Sequence, residues 1–201
     1  MFILMTVLSM VSKFSNSSIV PVNLRLEYLK NPLGIDILSP RFSWTLSGSE
    51  RGEYQTAYQI LVGSNREKLD ENNGDKWDSD KVESDESVNV AYKGENLSSG
   101  ETCYWKVRVW DKNDNPSQWS DVATFEMGLL ENDDWEGVWI GAKEDISAPL
   151  LRKEFAVDKE IKRARAYISG LGYYEMYING DKVGCHVLDP GTTYYLSLIH
   201  I

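Results

Sequence analysis

Apolar and polar residues alternate in short runs along the middle of the chain, and clusters of Gly, Pro, Asn and Asp separate the runs. Alternation with a period of two residues is typical of β-strands with one buried face, whereas an amphipathic helix repeats about every 3.6 residues. The clearest runs lie at residues 41–46, 57–62, 87–92, 103–110 and 122–127. The only helical turn indicated by the pattern lies around residues 65–69. With the shorter runs included, roughly seven strands are expected, which is the inventory of a two-sheet β-sandwich.

The run at residues 103–110 shows the alternation best and predicts which side chains fill the core. One face carries Cys103, Trp105, Val107 and Val109, and the other carries Tyr104, Lys106, Arg108 and Trp110. Trp105 and Trp44 are expected to be the large central core residues. Lys106 and Arg108 are interpreted as ordinary solvent-facing charges, on which Trp110 and Trp119 can stack, although Trp residues on an exposed face can equally support a neighbouring domain.

The alternation stops at residues 128–134, where acidic residues collect, and this predicts a domain boundary. A sandwich is therefore expected over residues 20–128 and a second unit over residues 129–195. Further strands are predicted at 149–155, 162–169 and 173–179, followed by a type I′ hairpin turn at Asn179-Gly180. These strands are too few to close a pair of sheets, so the second unit is expected to be incomplete and unable to fold alone.

Both ends of the chain depart from this pattern. Residues 1–11 form an apolar run too short to span a bilayer, followed by small polar residues. Residues 1–19 are interpreted as a signal peptide, which implies export to the periplasm, cell surface or medium, although an apolar N-terminal extension would look similar. Residues 196–201 match none of the strand pattern and are interpreted as the translation of a sequencing adaptor.

The net charge and the cysteine content bear on which partners and cofactors the protein can bind. The formal net charge of −10 argues against nucleic acid, which is bound through clustered Lys and Arg. The two cysteines, Cys103 and Cys185, lack metal-ligand spacing and are expected to be free, buried thiols. No metal or cofactor is expected, although a calcium ion in an acidic turn such as 78–80 or 131–134 is left open. No membrane-spanning segment is expected.

Two sets of motifs carry a resemblance to a known family. The first set is NPLGID (31–36), PRFSW (40–44), QTAYQILV (55–62), YWKVRVWD (104–111) and WS (119–120). It resembles the fibronectin-III-like domain that opens many bacterial α-L-rhamnosidases of glycoside hydrolase family 78. The second set is ARAYISGLGYYE (164–175), YING (177–180), VG (183–184) and VLDPG (187–191), and it is similar to the start of that family's N-terminal jelly-roll domain.

The resemblance implies an all-β chain, with a fibronectin-III/Ig-like sandwich followed by the first strands of an incomplete jelly roll. It implies that the parent protein is an inverting glycoside hydrolase acting on rhamnose-containing glycans or glycosides. The family's catalytic carboxylates lie in a later (α/α)6 barrel, so no catalytic residue is expected here and the missing barrel would be the partner in cis. Two positions depart from the family pattern. Cys103 replaces the usual corner tyrosine, and Cys185 replaces an expected Asp.

Three residues of the second unit are candidates for sugar contact. Tyr173, Glu175 and Asn179 share one face of the run at 173–179, and sugars are held by aromatic faces and planar hydrogen-bonding groups. Packing on a strand face explains the same residues more simply. A Ser-His-Asp set and a phosphate-binding loop are both absent from the sequence pattern.

The sequence is also compatible with two other functions. The chain can be a carbohydrate-binding or surface-attachment module without an enzymatic partner domain, or a purely structural linker. A helical barrel further along the gene would favour the rhamnosidase. Folding without binding of any sugar would favour the linker.

Overall fold

The computed structural model describes residues 17–143, 148–185 and 187. Most of the predicted signal peptide and all of the predicted adaptor segment therefore lie outside the described residues. The chain divides into two compact units at residue 139, each of which is considered by itself.

Strands are the main regular elements of the first unit, which confirms the all-β prediction. Its elements are β1 (Ile19–Leu26), β2 (Arg41–Gly48), β3 (Ala57–Gly63), helix α1 (Arg66–Asp70), β4 (Trp77–Asp78), β5 (Val82–Glu83), β6 (Val90–Ala91), β7 (Thr102–Trp110), β8 (Ala123–Glu126) and a 3-10 turn at Asn132–Asp134. The antiparallel strands form a three-stranded sheet of order β1-β2-β6 and a five-stranded sheet of order β4-β3-β7-β8, with β5 also paired to β3.

An aromatic cluster fills the space between the two sheets. Phe42 of β2 meets Trp105 of β7 with ring centroids 4.6 Å apart and an edge-to-face tilt, which is a favoured geometry for aromatic pairs. Trp44 is also buried, and its indole N–H donates to Gln55 Oε1 at 3.0 Å, so the polar end of the ring is satisfied. The prediction that Trp44 and Trp105 are central core residues is confirmed, since each is 1% exposed.

Two strands differ from the pattern-based prediction. Strand β1 was not predicted, because Pro21 and a bulge between Val22 and Arg25 interrupt its alternation. Proline is tolerated there because β1 is an edge strand. Strand β6 is shorter than the predicted run at 87–92. Asn89 adopts a left-handed φ of 59°, and its N–H bonds the Ser43 side chain at 3.0 Å instead of joining the ladder.

The second unit contains fewer strands than predicted. Among its described residues, only β9 (Tyr177–Ile178) and β10 (Asp181–Lys182) pair, and the runs at 149–155 and 162–169 form no strand. A strand needs a neighbour for its N–H and C=O groups, and the described part of this unit offers those runs none. The predicted type I′ turn is confirmed, because Asn179 and Gly180 have φ values of 51° and 93°.

The Asp75 side chain connects the segment after α1 to the end of β3 through hydrogen bonds. Its carboxylate accepts from Ser64 N and Ser64 Oγ, each at 2.9 Å, and from Lys68 Nζ at 2.6 Å. Burial raises the pKa of Asp75, but the hydrogen bonds outweigh burial and hold the pKa at about 2. The folded state therefore binds the proton less readily than the unfolded chain does.

We expect this carboxylate to contribute up to about 2 kcal/mol of stability at neutral pH, lost as the pH falls from about 4 to about 2. Urea denaturation across that pH range measures the effect. Asp75→Asn should lower stability at pH 7 and flatten the acid dependence, whereas the exposed control Asp85→Asn should do neither. Equal acid sensitivity of wild type and Asp75→Asn would contradict the assignment.

Candidate functional site

The outer face of the five-stranded sheet carries a stack of alternating cations and indole rings. The Arg108 guanidinium lies between two rings, 5.0 Å from the centroid of Trp110 and 4.7 Å from that of Trp119. Lys106 Nζ lies 4.9 Å from the Trp119 ring, and Lys81 Nζ lies 5.2 Å from the Trp110 ring. The predicted stacking of Trp110 and Trp119 on these cations is confirmed.

The prediction that Lys106 and Arg108 are ordinary solvent-facing charges is wrong. Lys106 is only 6% exposed, and its ammonium donates to the Leu69 carbonyl oxygen and, at 2.7 Å, to Asn72 Oδ1. The ammonium thereby satisfies a carbonyl group at the C-terminal end of α1. Burial lowers the pKa of Lys106 and that of Arg108. The face is closed by α1 and the Trp119 segment, so these cations hold the fold together.

The hairpin β9–β10 holds the residues predicted to contact sugar. Glu175 Oε2 accepts from the Tyr177 hydroxyl at 2.8 Å, and Oε1 accepts from Lys182 Nζ at 2.5 Å. The hydrogen bond from Lys182, followed by that from Tyr177, lowers the pKa of Glu175. Asn179 occupies the turn, and Tyr173 is 62% exposed. Sugar contact by Tyr173, Glu175 and Asn179 stays a prediction.

Lys182 was missed by sequence reasoning, although a signal for it existed. A two-residue turn at Asn179-Gly180 fixes the register of the hairpin, and that register pairs Lys182 with Tyr177. Because Glu175 and Tyr177 alternate onto one face, Lys182 comes within reach of the carboxylate. The group is an exposed ion pair with both carboxylate oxygens engaged, and such surface pairs contribute little to stability.

The carboxylates of the acidic turns accept hydrogen bonds from backbone amides and side chains of the protein. Asp78 Oδ1 accepts from Gln59 Nε2 at 2.7 Å and from the Asp80 amide at 2.8 Å. Asp134 Oδ2 accepts from the Leu130 and Glu131 amides at 3.2 and 3.0 Å. Across residues 17–143, 148–185 and 187, no group of three or more His, Cys, Asp or Glu side chains is placed to hold a metal ion.

The two cysteines differ in their surroundings. Both are free thiols, as predicted. Cys103 is fully buried, and burial raises the pKa of its thiol to about 12, which makes it a small core residue. The prediction that Cys185 is buried is wrong, because its side chain is exposed next to the short hairpin. In the part of the chain that the structure describes, no helix has the length and apolar character needed to cross a bilayer.

Comparison with known proteins identifies both units. Residues 21–131, more than half of the chain, match the family described as "Rha78A-like, N-terminal immunoglobulin domain". Residues 159–201 match the "Alpha-L-rhamnosidase N-terminal domain". The two matches follow one another in the order that the motifs predicted.

The similar proteins are named α-L-rhamnosidases. An α-L-rhamnosidase of Alteromonas sp. (strain LOR) is 43% identical over 96% of this chain, and one of Formosa agariphila is 40% identical over 82%. The structure of α-L-rhamnosidase from Dictyoglumus thermophilum superimposes with a TM-score of 0.80 and 45% identity over 87% of this chain.

These alignments cover only part of each relative. This chain spans 23% of the Alteromonas protein, 20% of the Formosa protein and 22% of the Dictyoglumus chain. The shared region is the one that the matched descriptions call N-terminal. The chain therefore belongs to the α-L-rhamnosidase family, through a Rha78A-like N-terminal immunoglobulin domain.

Proposed function

We propose that this chain is the non-catalytic N-terminal part of an exported α-L-rhamnosidase that removes terminal α-L-rhamnosyl residues from glycans or glycosides. The observation that carries the proposal is the ordered pair of N-terminal family matches, at residues 21–131 and 159–201. The relatives that share this region are named α-L-rhamnosidases and are about four to five times longer than the matched part.

The described side chains support a scaffolding role for this part. Inverting hydrolysis needs a general acid and a general base about 6.5–9.5 Å apart across a pocket that holds the sugar. The carboxylates of the acidic turns and of the hairpin are instead engaged by backbone amides and by Lys182. On the outer sheet face, Lys106 is buried and the Arg108 guanidinium lies between two indole rings. The proposed role is to support and position a catalytic barrel encoded further along the gene.

Three finer features belong to the same proposal. The sandwich is of the fibronectin-III type within the immunoglobulin-like class, which is supported by the motif order from residue 31 to residue 120. Residues 129–195 open a jelly-roll domain, which is supported by the second family match. Export is supported by the apolar run at residues 1–11, and N-terminal sequencing of the protein recovered outside the cytoplasm tests it.

The proposal is tested by reading the source DNA past codon 195 with a method that adds no transposase adaptor. The frame should continue through a complete β-domain into a helical barrel carrying paired carboxylates. The protein so encoded should release p-nitrophenol from p-nitrophenyl α-L-rhamnopyranoside, and the 201-residue chain should not. A frame that truly ends in residues 196–201 would overturn the rhamnosidase proposal and favour a binding or linker module.

A further inference from the structure

The sandwich exposes its large apolar side chains unevenly. Single apolar residues scattered over a surface are normal, whereas a concentration of them marks a contact site. Of the nine large apolar side chains exposed between residues 17 and 131, five lie between residues 28 and 38, in the loop that joins β1 to β2. The five are Tyr28, Leu29, Leu33, Ile37 and Leu38, and the other four, in separate segments, are Val22, Leu46, Tyr54 and Val88.

Hydrogen bonds hold the backbone of this loop against β8 and the residue that follows its last pairing. The Pro32 carbonyl oxygen accepts from the Glu126 amide at 3.0 Å, and the Ile35 amide donates to the Glu126 carbonyl oxygen at 3.0 Å. The Ile35 carbonyl oxygen accepts from the Gly128 amide at 2.8 Å. The backbone on either side of Leu33 is thus fixed, which lowers the entropic cost of bringing its side chain into a contact.

This anchoring accounts for much of the NPLGID motif (31–36) but not for Leu33. Asn31 has a left-handed φ of 48°, and its side chain accepts a backbone hydrogen bond from β8 at 3.0 Å. Gly34 has a φ of 72° and packs closely on Gly128, where an added Cβ would lie 3.3 Å from the Gly34 carbonyl group. Leu33 is 62% exposed and adds nothing to the core of the sandwich.

Three of the exposed side chains lie close to the point at which the chain leaves the sandwich. Gly128 follows the last strand, begins the connection to the second unit and is bonded to Ile35. Because consecutive Cα atoms are about 3.8 Å apart, the Cα atoms of Leu33 and Ile37 lie within about 8 Å of that of Ile35, and the Cα atom of Leu38 within about 11 Å. We call Leu33, Ile37 and Leu38 the exit patch, beside which the rest of the polypeptide begins.

The chemistry of the exit patch and the length of the relatives indicate its partner. The patch consists of branched aliphatic side chains without charge, which are stabilised by burial against another apolar surface. This chain spans 23% of the Alteromonas protein and 22% of the Dictyoglumus chain, so most of such a protein lies beyond the matched region. A domain on the same polypeptide has a high effective concentration, so a small patch is sufficient to dock it.

We propose that the exit patch docks the sandwich onto an apolar surface of the parent α-L-rhamnosidase that is encoded beyond residue 195. The inference rests on the proposed function, because it requires the longer protein, and it names the surface through which the scaffold makes contact. Leu33, Ile37 and Leu38 form the apolar centre of the contact. The hydrogen bonds to β8 hold that centre in place.

The test is hydroxyl-radical footprinting, read by mass spectrometry, of the 201-residue chain and of the full-length parent protein. Oxidation of Leu33, Ile37 and Leu38 should be on the order of tenfold slower in the full-length protein, because interface cores pack like protein interiors. Val88 is the control, since it is about as exposed as Leu33 and should be oxidised equally in both proteins. Equal oxidation of the patch in both proteins would overturn the proposal, as would protection of the 201-residue chain that rises with its concentration, which indicates a second copy as the partner.

A double substitution separates docking from folding. Leu33→Glu with Leu38→Glu places two carboxylates in the contact, and burial of an unpaired charge is unfavourable. Both side chains are exposed, so the 201-residue variant should keep the near-ultraviolet circular dichroism of wild type. In the full-length protein, oxidation of Ile37 should rise to its rate in the 201-residue chain, whereas the control Val88→Glu should leave Ile37 protected. Protection of Ile37 that survives the double substitution would count against the proposal.

Hydrolysis of p-nitrophenyl α-L-rhamnopyranoside by the same full-length protein separates this inference from the proposed function. An active protein with an unprotected exit patch overturns the inference and leaves the function standing. An inactive protein with a protected patch does the reverse. A reading frame that ends at residue 201 leaves no partner and overturns both.

Discussion

Replacing Phe42 by Ala is expected to destabilise the first unit by about 3–5 kcal/mol. Phe42 is fully buried, and its ring is the hub of the aromatic cluster. Its centroid lies 4.6 Å from Trp105, 5.9 Å from Trp77, 6.1 Å from Phe125 and 6.3 Å from Tyr92. Truncation leaves a cavity bounded by four rings that belong to different strands and loops, and such a site cannot collapse easily.

Urea denaturation followed by near-ultraviolet circular dichroism measures the loss, because the signal reports ordered aromatic rings. The melting temperature should fall by on the order of 15 °C. Phe42→Leu should lose distinctly less, since much of the volume is kept. Val88→Ala is the control, because Val88 is 59% exposed and its truncation should change stability by less than about 0.5 kcal/mol. A loss below about 1 kcal/mol for Phe42→Ala would contradict the central role of this ring.

Replacing Lys106 by Met is expected to cost about 2–4 kcal/mol, a large effect for a residue whose position in the sequence resembles that of a surface lysine. Methionine keeps the length and apolar stem of the side chain but removes the ammonium. The Leu69 carbonyl oxygen then loses the charge-assisted hydrogen bond from the ammonium and keeps the Asn72 amide as a donor, and the cation contact with Trp119 is lost as well. Hydrogen bonds from a charged donor contribute about 1.5–3 kcal/mol, and a cation over a desolvated indole ring adds up to about 2 kcal/mol.

Lys30→Met is the matched control, because Lys30 is exposed and the same substitution there should leave stability within about 0.5 kcal/mol of wild type. Asn72→Gly offers a second readout, since glycine tolerates the left-handed φ of 58° at this position; the substitution removes the Asn72 Oδ1 acceptor and should cost less than Lys106→Met. If Lys106→Met were as stable as wild type, the ammonium would contribute no net stability and the outer face would be held by packing alone.

Much of the first unit could be predicted because its strands carry a strong local signal. Strand β3 pairs with β7 along its whole length, from Ala57 opposite Trp110 to Gly63 opposite Tyr104, and both strands were predicted from alternation. Strand β1 escaped prediction because a proline and a bulge, which are acceptable at a sheet edge, break the pattern that the prediction requires.

The packing of Trp77 against the segment after β6 could not be predicted from the pattern of residues. Trp77 and Tyr92 lie on segments that the sequence pattern treats separately, and they meet because β4 and β6 occupy edges of opposing sheets. A two-residue strand such as β4 carries too little sequence for periodicity to register. The pairing of β4 with β3, at Val62 opposite Trp77, sets the position of the Trp77 ring.

The sequence by itself determined the all-β class, the core faces of the main strands, the Asn179-Gly180 turn and the family, because each depends on residues close together along the chain or on motifs in a fixed order. The tertiary structure alone decided that Lys106 is buried, that Cys185 is exposed, that Glu175 is paired with Lys182 and that Trp77 packs against Tyr92. Alternation assigns a side chain to one face of a sheet. What covers that face depends on segments distant in sequence, whose packing no local pattern encodes.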